Sequence, residues 1–210
     1  MLVFYSEFAH HSINLLALVY PLTEDEYRTR SLERRASYAY LTDLTEGASR
    51  LVSEMFDVLQ MPKPKSYREK FEQAENLKLL PRALVESLQQ IKTLRNNVVH
   101  ENPRIDASLE LYHVIGKLCT VGFALFEVYV ALYKSREADC GPEPAVIDVD
   151  KAYLLNALHH PYRYRTRNPH SPSWEVADIP RALSKLQEDA SIPTFAIDQP
   201  QIVAVLRKIR

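Results

Sequence analysis

Glycine is nearly missing from this chain, with 4 residues in 210 against 13 prolines. A sheet joined by tight glycine turns is therefore disfavoured. The prolines fall between stretches of helical pattern, which points to helices joined by stiff connections. Cysteine is scarcer still: Cys119 and Cys140 are the only two, far apart and without metal-ligand spacing. A reducing cytoplasm is the simplest setting for such a chain. Neither sign of charge is in excess, and a formal net charge of −1 excludes whole-molecule attraction to nucleic acid. A polyanion partner would need a local basic patch. There is no phosphate-cradling glycine loop and no serine-nucleophile elbow.

Apolar runs are short of what a membrane requires. The start, "MLVFYSEFAHHSINLLALVY", lacks a basic leading segment and carries Glu7, His10 and His11, so it is expected to be core and not an export signal. The most apolar run, Val121 to Tyr133, is short for a bilayer crossing and contains Glu127. No membrane partner is expected. What remains, 46% hydrophobic and 25% charged residues, is ordinary for a soluble globular protein of one domain, with or without a small appendage.

Punctuation divides the chain into helices. Thr23 to Glu26 reads as a capping box, in which the threonine hydroxyl takes a free backbone amide and the glutamate reaches back, and one long helix is expected from there to about Gln60. "MPKPK" stops it. Ser66 to Glu69 is a second capping box, opening a helix to about Leu79. Pro81 suits the first turn of a third, which must end before Pro103. Asp106 is placed to cap a fourth to about Glu137, apolar nearly all round and so suited to the centre of a bundle. Beyond "ADCGPEPAVIDVD" the pattern predicts a short helix from Asp150 to His160, a basic aromatic loop "PYRYRTRNPHSPS", a helix near Arg181 to Asp189, a short strand at "TFAI" and a last helix near Gln201 to Arg210. The expectation is an all-α protein: a helical bundle over 1–140 and a mostly helical appendage of undefined fold over 141–210.

"TLRNNVVHENP", Thr93 to Pro103, closes the third helix with an arginine and a histidine. At about 100° per residue, Leu88, Ile91 and Val98 fall within roughly 40° of Leu84, and Arg95 falls at about 20°. A guanidinium thus sits in the middle of an apolar stripe, where burial without a partner is costly. His100 lies about 140° further round, so the two side chains diverge. Asn96 and His100, four apart, share a face, and the amide is placed to orient the imidazole. In the last turn the helix dipole favours the protonated ring. With 16 arginines and 7 histidines in 210 residues, this spacing should arise by chance about half a time. Arg165 to His170 is such an instance, in a proline-bearing loop. Context separates the first pair: Asn follows the Arg, apolar residues fill the gap, and the helix is the third of a bundle.

"RNNVVH" resembles the R-x-x-x-x-H signature of the HEPN superfamily, in which a polar residue, often Asn, follows the Arg. The resemblance implies an all-helical bundle and assigns catalytic roles to Arg95, Asn96 and His100. Many members are metal-independent ribonucleases of toxin–antitoxin, phage-defence and CRISPR-associated systems, with a composite site built from two copies. It therefore implies RNA as substrate, a homodimer, no cofactor or metal, and an antitoxin protein as a possible partner. One subset carries a tyrosine, modified by a nucleotidyltransferase antitoxin, two places after the histidine. Here that place is Asn102, so an antitoxin of that action is not supported.

Each residue also has a plainer reading. The alternative is that Arg95 pairs with an acid such as Asp43 or Glu46 inside the bundle and that His100 only caps helix-end carbonyls; the joint Arg-Asn-His context weighs against both. Tyr162, Arg163, Tyr164, Arg165 and Arg167 interleave rings with guanidiniums, as RNA contact does, and as a solvated loop or protein contact also does. His10–His11 and His159–His160 diverge on a helix and lack further ligands at metal spacing. Glu24 to Arg35 reads as a solvated face. Two functions stand: a dimeric HEPN-type ribonuclease, or a non-catalytic module of that fold that binds a protein or nucleotide.

Overall fold

A computed structural model describes residues 8, 11, 12, 15, 19, 20, 22–99, 107–137, 193 and 195–208. Within them the regular structure is all helix, with no strand. The elements are α1 (Glu24–Thr29), α2 (Ser31–Val58), α3 (Tyr67–Asn76), α4 (Arg82–Val99), α5 (Ala107–His113), α6 (Ile115–Glu137) and α7 (Gln199–Arg207).

Both capping boxes form. Thr23 Oγ1 accepts from the Glu26 amide and the Glu26 carboxylate accepts from the Thr23 amide at 2.8 Å. Ser66 and Glu69 repeat the arrangement at the start of α3. The single helix expected from Thr23 to Gln60 is instead two. Arg30 adopts an extended conformation, φ −89° and ψ 90°, and the Thr29 hydroxyl donates to the carbonyls of Asp25 and Glu26. The break frees α1 to turn Tyr27 inward, where its ring meets Tyr112 of α5 at 5.4 Å. The helix expected over 106–137 is likewise broken, at Val114, so that α5 packs on α1 and α4 while α6 enters the core.

With glycine scarce, two helix ends place other residues in the left-handed region. Gln60 (φ 53°) follows α2 and Lys78 (φ 59°) follows α3. Each turn is closed by a backbone bond five residues back, Met61 N to Phe56 O and Leu79 N to Ala74 O, both 2.9 Å, which satisfies carbonyls the helix leaves open.

α2 supplies the longest buried stripe: Leu41, Leu44, Ala48, Leu51, Val52, Met55 and Phe56 recur at three- and four-residue steps and are all fully buried. α4 lies against it with Leu84, Leu88, Ile91 and Leu94 inward. α6 fills the centre. By length and composition its 22 residues from Ile115 to Arg136 would suffice to cross a membrane, more than the apolar run alone suggests, yet 78% of its most apolar window is buried within the protein. Phe8, Ser12, Leu15 and Val19 from the start of the chain are buried as well. Ser12 Oγ donates to Phe8 O at 2.7 Å and lies 2.7 Å from the Tyr40 hydroxyl. Gly122 of α6 faces this pair, and a Cβ there would come within 2.2 Å of both oxygens.

Of the segment expected to be an appendage, the described end belongs to the core. Ile202 and Leu206 of α7 are buried against α6, Lys134 donates to Gln199 Oε1 at 3.0 Å, and Arg207 donates to the Lys134 carbonyl at 2.9 Å. The strand expected at 194–197 is absent from Phe195–Ile197, where the chain leads into α7. No strand lies beside it among the described residues, and Phe195 and Ile197 pack on the core instead.

Candidate functional site

α4 carries the candidate site because it is packed on four neighbours, α2, α3, α5 and α6, which fix its rotation. Its apolar stripe is the expected one, and Arg95 rides at the edge of it. The side chain is 21% exposed, and Nη2 lies 3.6 Å from Glu46 Oε1 of α2, whose own side chain is half exposed. That is an ion pair beyond good hydrogen-bond length. Arg95 Nε is fully enclosed and has no hydrogen-bond acceptor among the described residues. An enclosed N–H without an acceptor costs about 1–3 kcal/mol. Arg68 with Glu72 and Arg82 with Glu86 are held more closely, each at 2.7 Å, whereas Arg136 lies 3.8 Å from Glu54.

Lys92, three residues before Arg95, shares its surroundings. Its ammonium sits 5.4 Å from the centre of the Tyr67 ring of α3. Partial burial and the Arg95 charge pull the Lys92 pKa down, and Glu46 pulls it back up. Tyr67 in turn packs on Phe71 with ring centres 4.4 Å apart, and its hydroxyl is enclosed without a partner among the described residues. Burial raises the Tyr67 pKa well above the ordinary tyrosine range, so the phenol stays protonated.

Asn96 is exposed beside Arg95. His100, one residue beyond the end of α4, lies outside the described residues, as do Asn102 and the whole Tyr162, Arg163, Tyr164, Arg165, Arg167 set. The structure therefore brings Arg95 together with Glu46 and Lys92 and leaves Asn96 open to solvent. Asp43, the other acid considered for Arg95, is exposed and forms no ion pair among the described residues. Among those residues no group of three or more His, Cys, Asp or Glu side chains converges. Lys92 and Tyr67 were not singled out by the sequence. Lys92 was visible as the helical neighbour of Arg95, whereas Tyr67 reaches it from another helix and left no signal in α4.

A separate cleft of about 660 Å³ opens between α4 and the α5–α6 junction, lined by Ser87, Gln90, Tyr112, His113 and Lys117 among others. Lys117 donates to Gln90 across it. Neither Arg95 nor Asn96, the site candidates among the described residues, lines this cleft.

An all-helical bundle with an R-x-x-x-x-H run at the end of a core helix defines a HEPN-type protein. More narrowly, residues 9–118, or 110 of the 210, match the family described as Ribonuclease HepT-like, and the chain belongs to that family. The matched span takes in α1 to α5, the opening turn of α6 and both Arg95 and His100. No curated protein and no solved structure matches the chain.

Proposed function

We propose that this chain is an endoribonuclease that cleaves RNA through the substrate's own 2′-hydroxyl, at a site assembled from two copies of the chain. Membership of a ribonuclease-like family supports RNA as the substrate. The observation that carries the reading is the state of Arg95. A purely structural arginine in an apolar stripe would be held bidentately by its acid. Among the described residues Arg95 has one half-exposed partner at 3.6 Å and an N–H with no acceptor. The side chain is partly exposed and only loosely held, which suits a group that meets phosphate oxygens.

In the proposed reaction the 2′-oxygen attacks phosphorus and the bond to the 5′-oxygen breaks. A 2′,3′-cyclic phosphate and a free 5′-hydroxyl result. His100 moves the proton, Arg95 takes up the charge growing on the phosphorane oxygens, and Asn96, four residues before His100, orients the imidazole. Because Arg95 and His100 diverge by about 140° around one helix, one copy presents the arginine and the other the histidine to the same phosphate. The loop bearing Tyr162, Arg163, Tyr164, Arg165 and Arg167 contributes RNA contacts. A role as a toxin or defence effector in the cytoplasm, held in check by a protein antitoxin, completes the proposal.

The test is cleavage of a labelled RNA by purified protein. Wild type should leave 2′,3′-cyclic phosphate ends and should remain active in EDTA, while Arg95→Ala and His100→Ala should each lose roughly 10²–10⁴-fold in rate. Activity abolished by EDTA and restored by magnesium would overturn the mechanism. Absence of cleavage by wild type would favour the non-catalytic binding module.

A further inference from the structure

Four surface arginines are neutralised locally. Arg28 pairs with Glu24, Arg30 with Glu33, Arg68 with Glu72 and Arg82 with Glu86, each within one turn of its own chain segment. The face that joins α2, α3 and α4 is organised differently. Lys70 of α3 bonds Ser49 of α2 at its hydroxyl (2.8 Å) and more weakly at its carbonyl (3.4 Å), and Lys92 of α4 lies over Tyr67. Among the described residues neither lysine has a carboxylate within ion-pairing distance.

Each of the two is also crowded by a second cation. Lys92 is flanked by Arg95, and Lys70 by Lys63, and in both cases partial burial and the neighbouring positive charge hold the ammonium pKa below its ordinary value. Lys117, on the other side of α4, is lowered by burial alone, with no cation pressing on it. Like charges held close in partly desolvated positions raise the energy of the folded chain, and a polyanion laid across them would relieve it.

The cations also fall in a row. Lys63 is anchored to Asp57 at 2.7 Å near the end of α2, Lys70 to Ser49 about two turns earlier, and Arg95 to Glu46 about one turn earlier again. From Glu46 to Asp57, α2 rises about 16 Å. A single row of this kind suits one sugar-phosphate backbone, whereas a duplex presents two.

We propose that Lys63, Lys70 and Lys92 form a track of phosphate contacts that leads one RNA strand along α2 to Arg95. The identity of the polyanion rests on the ribonuclease reading; the track itself is testable without cleavage. The probe is a fluorescently labelled single-stranded oligonucleotide of 2′-O-methyl RNA, which has no free 2′-hydroxyl to react. Its binding would be followed by anisotropy across a salt series. Lys70→Gln/Lys92→Gln should bind roughly tenfold or more weakly near 0.1 M salt, with a log–log salt slope shallower by about 1.4, the value for two single-strand phosphate contacts. Lys117→Gln removes the same charge facing Gln90, about 160° around α4 from Lys92, and should bind like wild type. Circular dichroism melts would establish that each variant is folded.

Equal affinity and slope in wild type and the double variant would overturn the track, as would a wild type that binds no RNA or an equal loss in Lys117→Gln. The ribonuclease reading fails separately: a track-dependent salt slope with no cleavage of ordinary RNA would keep the track and remove the enzyme. Cleavage by wild type with binding unchanged in the double variant would do the reverse.

Discussion

Glu46 holds Arg95 at 3.6 Å from a half-exposed position, and that looseness decides what changing it should do. An exposed partner at this distance contributes within about 1 kcal/mol, so Glu46→Gln should leave the melting temperature nearly unchanged. It should also remove the carboxylate that, among the described residues, competes with phosphate for Arg95. The same oligonucleotide should therefore bind more tightly to Glu46→Gln than to wild type; weaker binding would mean that Glu46 positions Arg95 and does not compete. Arg95 itself was legible in the sequence, because helical periodicity alone places a charge among Leu84, Leu88, Ile91 and Val98. Glu46 was legible only as one of two acids. Lys70 and Tyr67 were not, since their meaning comes from helices that approach through space and share no period with α4.

Helices one by one were easier to read than their breaks. Capping boxes at Thr23 and Ser66 are local chemistry, satisfied within four residues, and both form as the sequence implies. Arg30 and Val114 have no such signature: neither is proline nor glycine, and each helix breaks where the packing of Tyr27 and of α5 requires a change of direction. Scarce glycine leaves its own mark at the helix ends. Gln60 and Lys78 occupy a left-handed conformation that costs a side-chain-bearing residue roughly 1–2 kcal/mol. Part of this is recovered with glycine, after the entropy that glycine adds to the unfolded chain. Lys78→Gly and Gln60→Gly should each stabilise the protein by about 0.5–1 kcal/mol in urea unfolding. Substitution by Val at either position should destabilise it, and a loss of stability on Lys78→Gly would show that the turn is not under strain.

For the whole molecule, the tyrosines set the alkaline limit. Burial pushes the Tyr27 hydroxyl up to about 12 and raises Tyr40, Tyr67 and Tyr129 as well, against an ordinary value near 10. Above pH 10 the unfolded chain releases these protons while the folded chain keeps them, so their contribution is complete below pH 10 and is lost as pH rises beyond it. Lys70, Lys92 and Lys117, with lowered pKa values, act with the opposite sign below about 10.5. Stability should thus hold or rise toward pH 10 and then fall. Tyr27→Phe should make the fall between pH 10 and 12 shallower, because it removes a buried hydroxyl whose ionisation the folded chain resists. An equally steep fall in that variant would remove Tyr27 from the account. The bundle's class was readable from spacing and punctuation over α1 to α6, whereas the docking of α7 on α6 was not, because nothing local in "QPQIVAVLR" says which surface it covers. The central claim is that one active site draws on two copies of this chain, and the most direct measurement mixes two inactive proteins. Arg95→Ala and His100→Ala would be purified separately, dissociated, combined and assayed for RNA cleavage. The account predicts that activity returns in an equimolar mixture to about a quarter of the wild-type rate, since half of the dimers are mixed and each mixed pair holds one intact arginine–histidine combination of two. A mixture as inactive as its two components, with mixed dimers shown to be present, would contradict it.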